Sequence, residues 1–290
     1  MKPAVSILIS VYKVGQFIER CAESLFAQTF ESIEYIFVDD ASPDDSVARI
    51  QQVLDRYPHR KPAVRILRHP VNRGISYTRI TALNAAGGEY LWFVDGDDYI
   101  EPAAVETAYR KATESRADIV VFAHFRAYSE KGARVVSVTP SEKEQYLGNI
   151  LACRESFCIW NKLFARKLFV DHDVSFAPGI NYGEDYAIVP RLVFYAQKMA
   201  FLNTPLYHYT LFNSSAYTRK FRRESMGEMA EGLQLISDFL RAEAPGRDYS
   251  EFIRHAAIHV KINLLRLYGC SAAPDRAILL QLDALFPKFR

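Results

Sequence analysis

Three aspartates within four positions are the residues whose types and spacing point most directly to chemistry. Asp95, Asp97 and Asp98 follow a short apolar run, Tyr90 to Val94, and Gly96 separates the first two. Carboxylates this close raise each other's proton affinity unless a cation or hydrogen-bond donors compensate them. Carboxylate oxygens suit hard ions such as Mg²⁺ or Mn²⁺, so the motif predicts a metal or phosphate site. The alternative is a solvated turn whose aspartates cap the following helix.

The apolar run before these aspartates predicts a buried strand, the fourth in a regular alternation with helices. The predicted strands cover residues 5–11, 35–38, 64–67 and 90–94, and the predicted helices between them cover residues 17–28, 46–57 and 76–86. Such alternation indicates a mostly parallel sheet with right-handed crossovers. Two of these strands end in paired acids, at Asp39-Asp40 and at Asp95 to Asp98. Because open α/β sheets bind ligands at the carboxyl ends of their strands, we expect one ligand between both acid sets.

The second half of the chain has a less regular pattern. It predicts a helix over 102–115, a strand over 119–122, a hairpin or loop over 129–141, a mostly helical segment over 142–174, a loop over 176–181, a helix over 186–195 and a strand over 200–209. Beyond Asn213 the pattern predicts three helices, over 224–243, 249–268 and 274–286. No catalytic residue is recognisable in that last region.

Composition narrows the classes of function. A net charge of +2 over 290 residues gives no basic footprint for nucleic acid. The four cysteines form no Cys-x-x-Cys pair and no zinc-like spacing with histidine, which fits a reducing compartment. The first residues lack the longer apolar region and cleavage site of a signal peptide, and no apolar run approaches about 18 residues. We therefore expect a cytoplasmic protein and leave open a peripheral contact with the inner face of the membrane.

Several motifs, taken in order, resemble those of family 2 glycosyltransferases of the GT-A fold, which use nucleotide sugars and invert the anomeric configuration. The matching motifs are VSILISVY at 5–12, SLFAQTF at 24–30, EYIFVDDAS at 34–42, NRG at 72–74, TR at 78–79, GEY at 88–90, DGDD at 95–98 and GED at 183–185. Each motif is weak alone, but their order and spacing over residues 4 to about 215 are highly specific. The resemblance implies an α/β fold with a Rossmann-like, mostly parallel central sheet flanked by helices and a C-terminal helical extension.

The same resemblance implies a division of the chain and a nucleotide site. Residues 1–215 would form the transferase domain, with a nucleotide-binding half to residue 100 and an acceptor half from 101, and residues 216–290 a helical region. Tyr12 would stack on the nucleotide base. Asp40 would accept a hydrogen bond from a uracil N–H, which favours a UDP-sugar. Arg79 would reach the base or the diphosphate as a fixed cation.

The resemblance also implies a metal site at the acidic motif. Asp97 would coordinate Mn²⁺ or Mg²⁺ bridging the diphosphate, and the cation would neutralise charge on the leaving nucleoside diphosphate. Asp95 would contact the ribose or support the metal's ligands, and Asp98 would orient Asp97 or meet the donor sugar. His208 is a further candidate ligand, because some members have a histidine near this position while others have a tyrosine.

The acceptor side of the resemblance rests on Asp185, which would act as the general base that removes a proton from the attacking hydroxyl. Glu184 would position the acceptor or tune Asp185. The structural alternative is that both acids occupy the first turn of a helix, where the helix dipole favours them. Trp160 would form a floor for sugar stacking or belong to the core.

These roles predict a hexosyltransferase-type enzyme of EC class 2.4 that transfers a sugar from a nucleotide-sugar donor to a saccharide or lipid-linked saccharide acceptor. A homo-oligomer is left open. One alternative is a nucleotide-sugar-binding protein without transfer activity, against which the presence of both acid sets argues. The other is a phosphotransferase with an aspartate nucleophile, which leaves Asp40 and Asp185 without a task.

Overall fold

Strands and helices alternate through the first hundred residues as the hydrophobic pattern predicts. The structure is a computed structural model that describes residues 2–214 and 222–269. Its first elements are β1 (Val5–Val11), α1 (Ile18–Phe26), β2 (Ile33–Asp39), α2 (Ser46–Asp55), a 3₁₀ turn (Pro58–Ala63), β3 (Val64–Arg68), α3 (Ile75–Ala85) and β4 (Tyr90–Asp95). Every predicted element of this region is confirmed, with only small shifts of the boundaries.

The carboxyl ends of β2 and β4 meet at one edge of the sheet. β1 lies between these two strands and is parallel to both, and β3 extends the parallel sheet beyond β2. In the register of the strands, Val11 aligns with Asp39 and Ser10 aligns with Asp95. The two acidic segments therefore flank the end of β1, as the strand alternation predicts. The near-complete burial of β1 explains its near-continuous apolar sequence.

Beyond residue 98 the sheet becomes mixed. The elements that follow are β5 (Tyr99–Ile100), α4 (Ala104–Ser115), β6 (Ile119–Ala127), β7 (Ala133–Val136), α5 (Lys143–Leu151), β8 (Lys162–Ala165), α6 (Lys167–Val170), α7 (Glu184–Tyr195) and β9 (Met199–Thr210). The strand order is β3-β2-β1-β4-β8-β6-β9-β5, with β7 paired to β6. β8 runs antiparallel to both neighbours, whereas β9 is parallel to β6. β7 forms a hairpin with β6, which decides between the two alternatives for residues 129–141.

The prediction of a mostly helical segment over residues 142–174 is wrong in its middle. Only α5 and the short α6 are helical there, and β8 occupies an interior position of the sheet between β4 and β6. All residues of β8, including Lys162, are buried. A short segment buried on every side has no amphipathic period, so its sequence does not distinguish a strand from a helix.

The chain divides into two compact units, each assembled from several stretches. The first consists of Met1–Pro140, Ile159–Ser175 and Tyr195–Asn213, and it contains the whole described sheet. The second unites Ser141–Cys158 and Phe176–Phe194 with the described part of Ser214–Arg290. The linear division at residue 215 stays a prediction about domains.

The second unit contains the C-terminal helices α8 (Arg223–Glu243) and α9 (Ser250–Gly269), close to two of the three predicted helices. The third, over residues 274–286, lies outside the described residues. The apolar side chains of α8 are buried at Met226, Met229, Leu233, Ile236 and Leu240. Among the described residues, no helix has the length and hydropathy needed to cross a membrane.

Candidate active site

The acidic turn, which we define as residues 95–98, begins where β4 ends. Gly96 is required here because its backbone runs against β1: a Cβ atom at this position would lie 2.7 Å from the carbonyl oxygen of Ser10. The Asp95 carboxylate is partly exposed and pairs with Arg79, whose Nη2 lies 3.1 Å from Asp95 Oδ1. Arg79 is itself buried, so its guanidinium is fixed in place beside the turn.

Asp98 is the innermost acid of the turn and is held by β9. The Tyr207 hydroxyl donates to Asp98 Oδ2 at 2.6 Å, and the Thr210 N–H donates to Asp98 Oδ1 at 2.7 Å. Burial, followed by the charges of Asp97 and Asp95, raises the pKa of Asp98 well above its usual value. Both of its oxygens are thus engaged by the protein, which favours an orienting role over contact with a donor sugar.

The charge of Asp97 is less fully compensated by the described residues than the charges of Asp95 and Asp98. Its carboxylate accepts a hydrogen bond from Asn213 Nδ2, which lies 2.7 Å from Asp97 Oδ2. Burial and then the neighbouring charge of Asp95 raise the pKa of Asp97 to about 6. Among the described residues no lysine or arginine forms an ion pair with Asp97 or Asp98, and a divalent cation would supply the missing charge. Asp97 together with Asp95 therefore fits a hard cation that takes its remaining ligands from water or substrate phosphates.

His208, on β9, is held by side chains of the neighbouring strands β5 and β6. Its ring is stacked between Tyr99 and Phe125, with ring centroids 4.0 Å and 4.2 Å away, and its Nε2 lies 2.5 Å from Glu101 Oε1. Burial lowers the pKa of His208, although Glu101 opposes this shift. The described residues include no group of three or more His, Cys, Asp or Glu side chains that could hold a metal. The arrangement gives His208 an evident packing role, and its metal role stays a prediction.

Asp40 follows β2 and is almost fully buried. Its oxygens accept hydrogen bonds from Asn72 Nδ2 at 2.9 Å and from the N–H groups of Arg73 and Gly74 at 2.9 and 2.8 Å. His69 Nδ1 lies 2.6 Å from Asp40 Oδ1. The carboxylate therefore organises residues 72–74, and a uracil N–H would have to share an oxygen that already accepts from the protein.

Tyr12 follows β1 directly and has a largely open ring. Its side chain is among the exposed large hydrophobic ones, with 41% of the residue's surface accessible, and the Lys13 ammonium lies 5.1 Å from the ring centroid. An exposed aromatic ring at the carboxyl edge of the sheet is suited to stacking on a nucleotide base. Exposure therefore agrees with the role predicted for Tyr12 without testing it.

Trp160 belongs to the core. It is 5% exposed and stacks on Tyr207 and Tyr209, with ring centroids 4.7 Å and 5.1 Å away. Since Tyr207 donates to Asp98, this aromatic layer also supports the acidic turn. The packing position decides between the two alternatives for Trp160.

Glu184 and Asp185 occupy the first turn of α7 in the second unit, where both side chains are partly exposed. The helix begins at Glu184, and the Gly183 carbonyl accepts from the Ala187 N–H at 3.0 Å. The position agrees with both alternatives for these acids, since the first turn favours negative charge and also leaves the side chains accessible. Their catalytic roles stay predictions.

Comparison with known proteins decides the family. A family model described as glycosyl transferase family 2 matches residues 6–175, more than half of the chain. The chain belongs to this family. It is accordingly a glycosyltransferase of EC class 2.4. The EpsH protein of Bacillus subtilis is 31% identical over 281 residues, which cover 93% of this chain and 79% of EpsH.

Solved structures of similar fold include complexes with nucleotide sugars. S. aureus TarS 1–349 in complex with UDP-GlcNAc has a TM-score of 0.71 at 21% identity, covering 98% of this chain and 80% of that one. The mannosyltransferase PcManGT of Pyrobaculum calidifontis, in complex with GDP-Man and Mn²⁺, has a TM-score of 0.56 at 14% identity, covering 99% and 81%. At these identities the likeness shows the fold, and it confirms the predicted GT-A class.

The residues that hold the acidic turn were not predicted from the sequence. Tyr207, Thr210 and Asn213 contact aspartates that precede them by 109, 112 and 116 positions. His69 likewise precedes the NRG motif without belonging to it. No local spacing signals such contacts; only the pairing of β9 with β5 beside the turn brings them together.

Proposed function

We propose that this family 2 glycosyltransferase transfers a sugar from a UDP-sugar to a saccharide or lipid-linked saccharide, with metal assistance and inversion at the anomeric carbon. The observation that carries the proposal is the charge deficit that the described residues leave at the buried Asp97, beside Asp95 at the carboxyl edge of the sheet. TarS has been solved with UDP and with UDP-GlcNAc, which supports a UDP-sugar as donor.

The donor site would be built from the first unit alone. Asp97, with Asp95 next to it, would hold Mn²⁺ or Mg²⁺, and Arg79 would fix Asp95. The presence of Mn²⁺ in the PcManGT complex supports this ion. When bound, a divalent cation supplies positive charge to the leaving nucleoside diphosphate. Tyr12 would stack on the base, and Asp40 would shape the base pocket through the backbone of residues 72–74.

The acceptor would be activated by Asp185. As general base, its carboxylate would take the proton of the acceptor hydroxyl while that oxygen attacks the anomeric carbon and the nucleoside diphosphate leaves. Glu184 would position the acceptor beside it. A single displacement assisted by one base inverts the anomeric configuration, so an α-linked donor would give a β-linked product.

Two variants separate the donor role from the acceptor role. Asp97→Asn should weaken Mn²⁺-dependent UDP binding and abolish transfer. Asp185→Asn should leave UDP binding nearly unchanged and lower turnover by about two to four orders of magnitude, as expected for loss of a positioned base. Turnover is followed as UDP release from UDP-GlcNAc, UDP-glucose and UDP-galactose, with the product linkage determined by NMR. Equal loss of UDP binding in both variants, or an α-linked product from an α-linked donor, would refute the assignment.

A further inference from the structure

The loop that leads into Asp185 is held by a residue of α8. Glu228 Oε2 accepts hydrogen bonds from two successive backbone N–H groups, those of Asn181 at 3.0 Å and Tyr182 at 2.6 Å. Two N–H groups that converge on one carboxylate oxygen fix the direction of the loop, since each bond is charge-assisted and directional. This contact lies wholly within the second unit, and α8 lies outside the residues that the family model matches.

Gly183 adds a steric contact to the same helix. It has a φ of +87°, which favours glycine, and a Cβ atom at this position would overlap the sulfur of Met229. The next turn of α8 is also close, because a Cβ at Gly232 would lie 3.7 Å from the Gly183 carbonyl oxygen. That same carbonyl accepts the first hydrogen bond of α7, from Ala187. The face of α8 thus lies against the residue that directly precedes α7.

Glu228 is partly buried, unlike the other glutamates of this helical segment. Burial raises the pKa of Glu228, while the N–H groups of Tyr182 and Asn181 oppose the shift. A partly buried carboxylate without such donors would be unfavourable, and the two N–H groups gain an acceptor that satisfies them. Glu224 and Glu231 on the same helix are both exposed.

We propose that Glu228 and Met229 form a clasp on residues 181–183 that sets the start of α7 and thereby the position of the Asp185 carboxylate. The proposal rests on the proposed function of Asp185 as the base. Glu228 acts on the acceptor step as a positioning residue through backbone atoms. The C-terminal region, in which no catalytic residue is recognisable from sequence, thereby contributes to turnover.

The clasp is tested with Glu228→Ala and Glu228→Gln, against Glu231→Ala as a matched control on the same helix. Hydrogen exchange at the Asn181 and Tyr182 amides should accelerate in Glu228→Ala, less in Glu228→Gln, whose carbonyl still accepts, and not in the control. UDP affinity with Mn²⁺ should stay within about twofold, whereas kcat for UDP release should fall about 10- to 100-fold in Glu228→Ala and be partly restored in Glu228→Gln. If Glu228→Ala does not fold, Glu228→Gln carries the same comparison.

The results that would overturn the positioning role of Glu228 differ from those that would overturn the base role of Asp185. Faster exchange of both amides with unchanged kcat would overturn the positioning role, as would unchanged exchange in Glu228→Ala. Loss of UDP binding together with kcat would show a general loss of structure and would equally overturn it. If Asp185→Asn keeps wild-type turnover, the base assignment fails instead, and the exchange data still report whether Glu228 holds the loop.

Discussion

The two acidic segments at the carboxyl edge of the sheet are compensated in different ways. Asp40 receives donors from His69, Asn72 and the backbone that follows, so its charge is satisfied by the chain itself. Among the described side chains Asp97 receives a donor from Asn213, and burial raises the pKa of Asp97 to about 6. One carboxylate therefore stabilises a loop, whereas the other, in the proposed function, would hold a cation.

Substitution of Asp97 should affect turnover most. Asp97→Asn should lower UDP release by about three orders of magnitude or more, because stabilisation of the leaving charge is lost. Its free energy of unfolding in chelator should not fall, since the substitution removes repulsion from Asp95. Urea unfolding and initial rates measure the two quantities. A less stable Asp97→Asn with near-normal turnover would reverse the assignment.

Asp40→Asn should show the opposite pattern in stability. The amide nitrogen would face N–H donors, so the free energy of unfolding should fall by about 2–3 kcal/mol. Asp45→Asn, at an exposed acid of the same loop, is the matched control and should change stability little. A normal urea midpoint for Asp40→Asn would show that the Asp40 network contributes nothing to folding.

Cation binding at Asp97 should depend on pH. The folded pKa of about 6 lies above the usual 3.8, so in chelator the group's contribution to stability is full below about pH 3.8 and is lost as pH rises through 6. Mn²⁺ competes with this proton, and its stabilising effect should therefore grow from pH 5.5 to 7.5. The shift in melting temperature caused by Mn²⁺ measures this, with Asp97→Asn as control. An equal shift at both pH values would contradict the expectation.

The smallest expected effect is at His208. If its stacking between Tyr99 and Phe125 is its main role, His208→Gln should leave Mn²⁺-dependent UDP affinity within about twofold while lowering the melting temperature by a few degrees. Calorimetry with Mn²⁺ decides the matter. A loss of affinity of tenfold or more would instead make His208 a ligand, as the family resemblance implies.

The two halves of the chain differ in how much of their structure could be predicted from the sequence. Up to residue 98, alternation of apolar runs and helical patterns is local information. It predicted every strand and α-helix and the shared edge of the two acid sets, but not the 3₁₀ turn over Pro58–Ala63. β8 could not be predicted, because a four-residue buried strand lacks a period. The hydrogen bonds to the Asp40 carboxylate and the Asn213 contact to Asp97 could not be predicted either. They come from side chains 29 to 116 positions away, which no local spacing encodes.

The contact between α8 and the loop before α7 could not be predicted from the sequence either. Its apolar pattern predicted a helix, and the helix is there, but Glu228 gives no sign in the sequence that it accepts from Asn181 and Tyr182. A single glutamate on a helical surface is ordinarily solvated. Only the three-dimensional placement distinguishes it from Glu231.

The most direct test is calorimetric titration of UDP, GDP, CDP and ADP into the full chain, each with Mn²⁺ and with chelator. The donor site described above predicts UDP binding that requires the metal and is preferred over the other nucleotides. Binding of another nucleotide in preference would refute a UDP-sugar as donor and keep the metal role of Asp97. UDP binding that is equal with Mn²⁺ and with chelator would contradict the central claim that the charge deficit at Asp97 is filled by a cation.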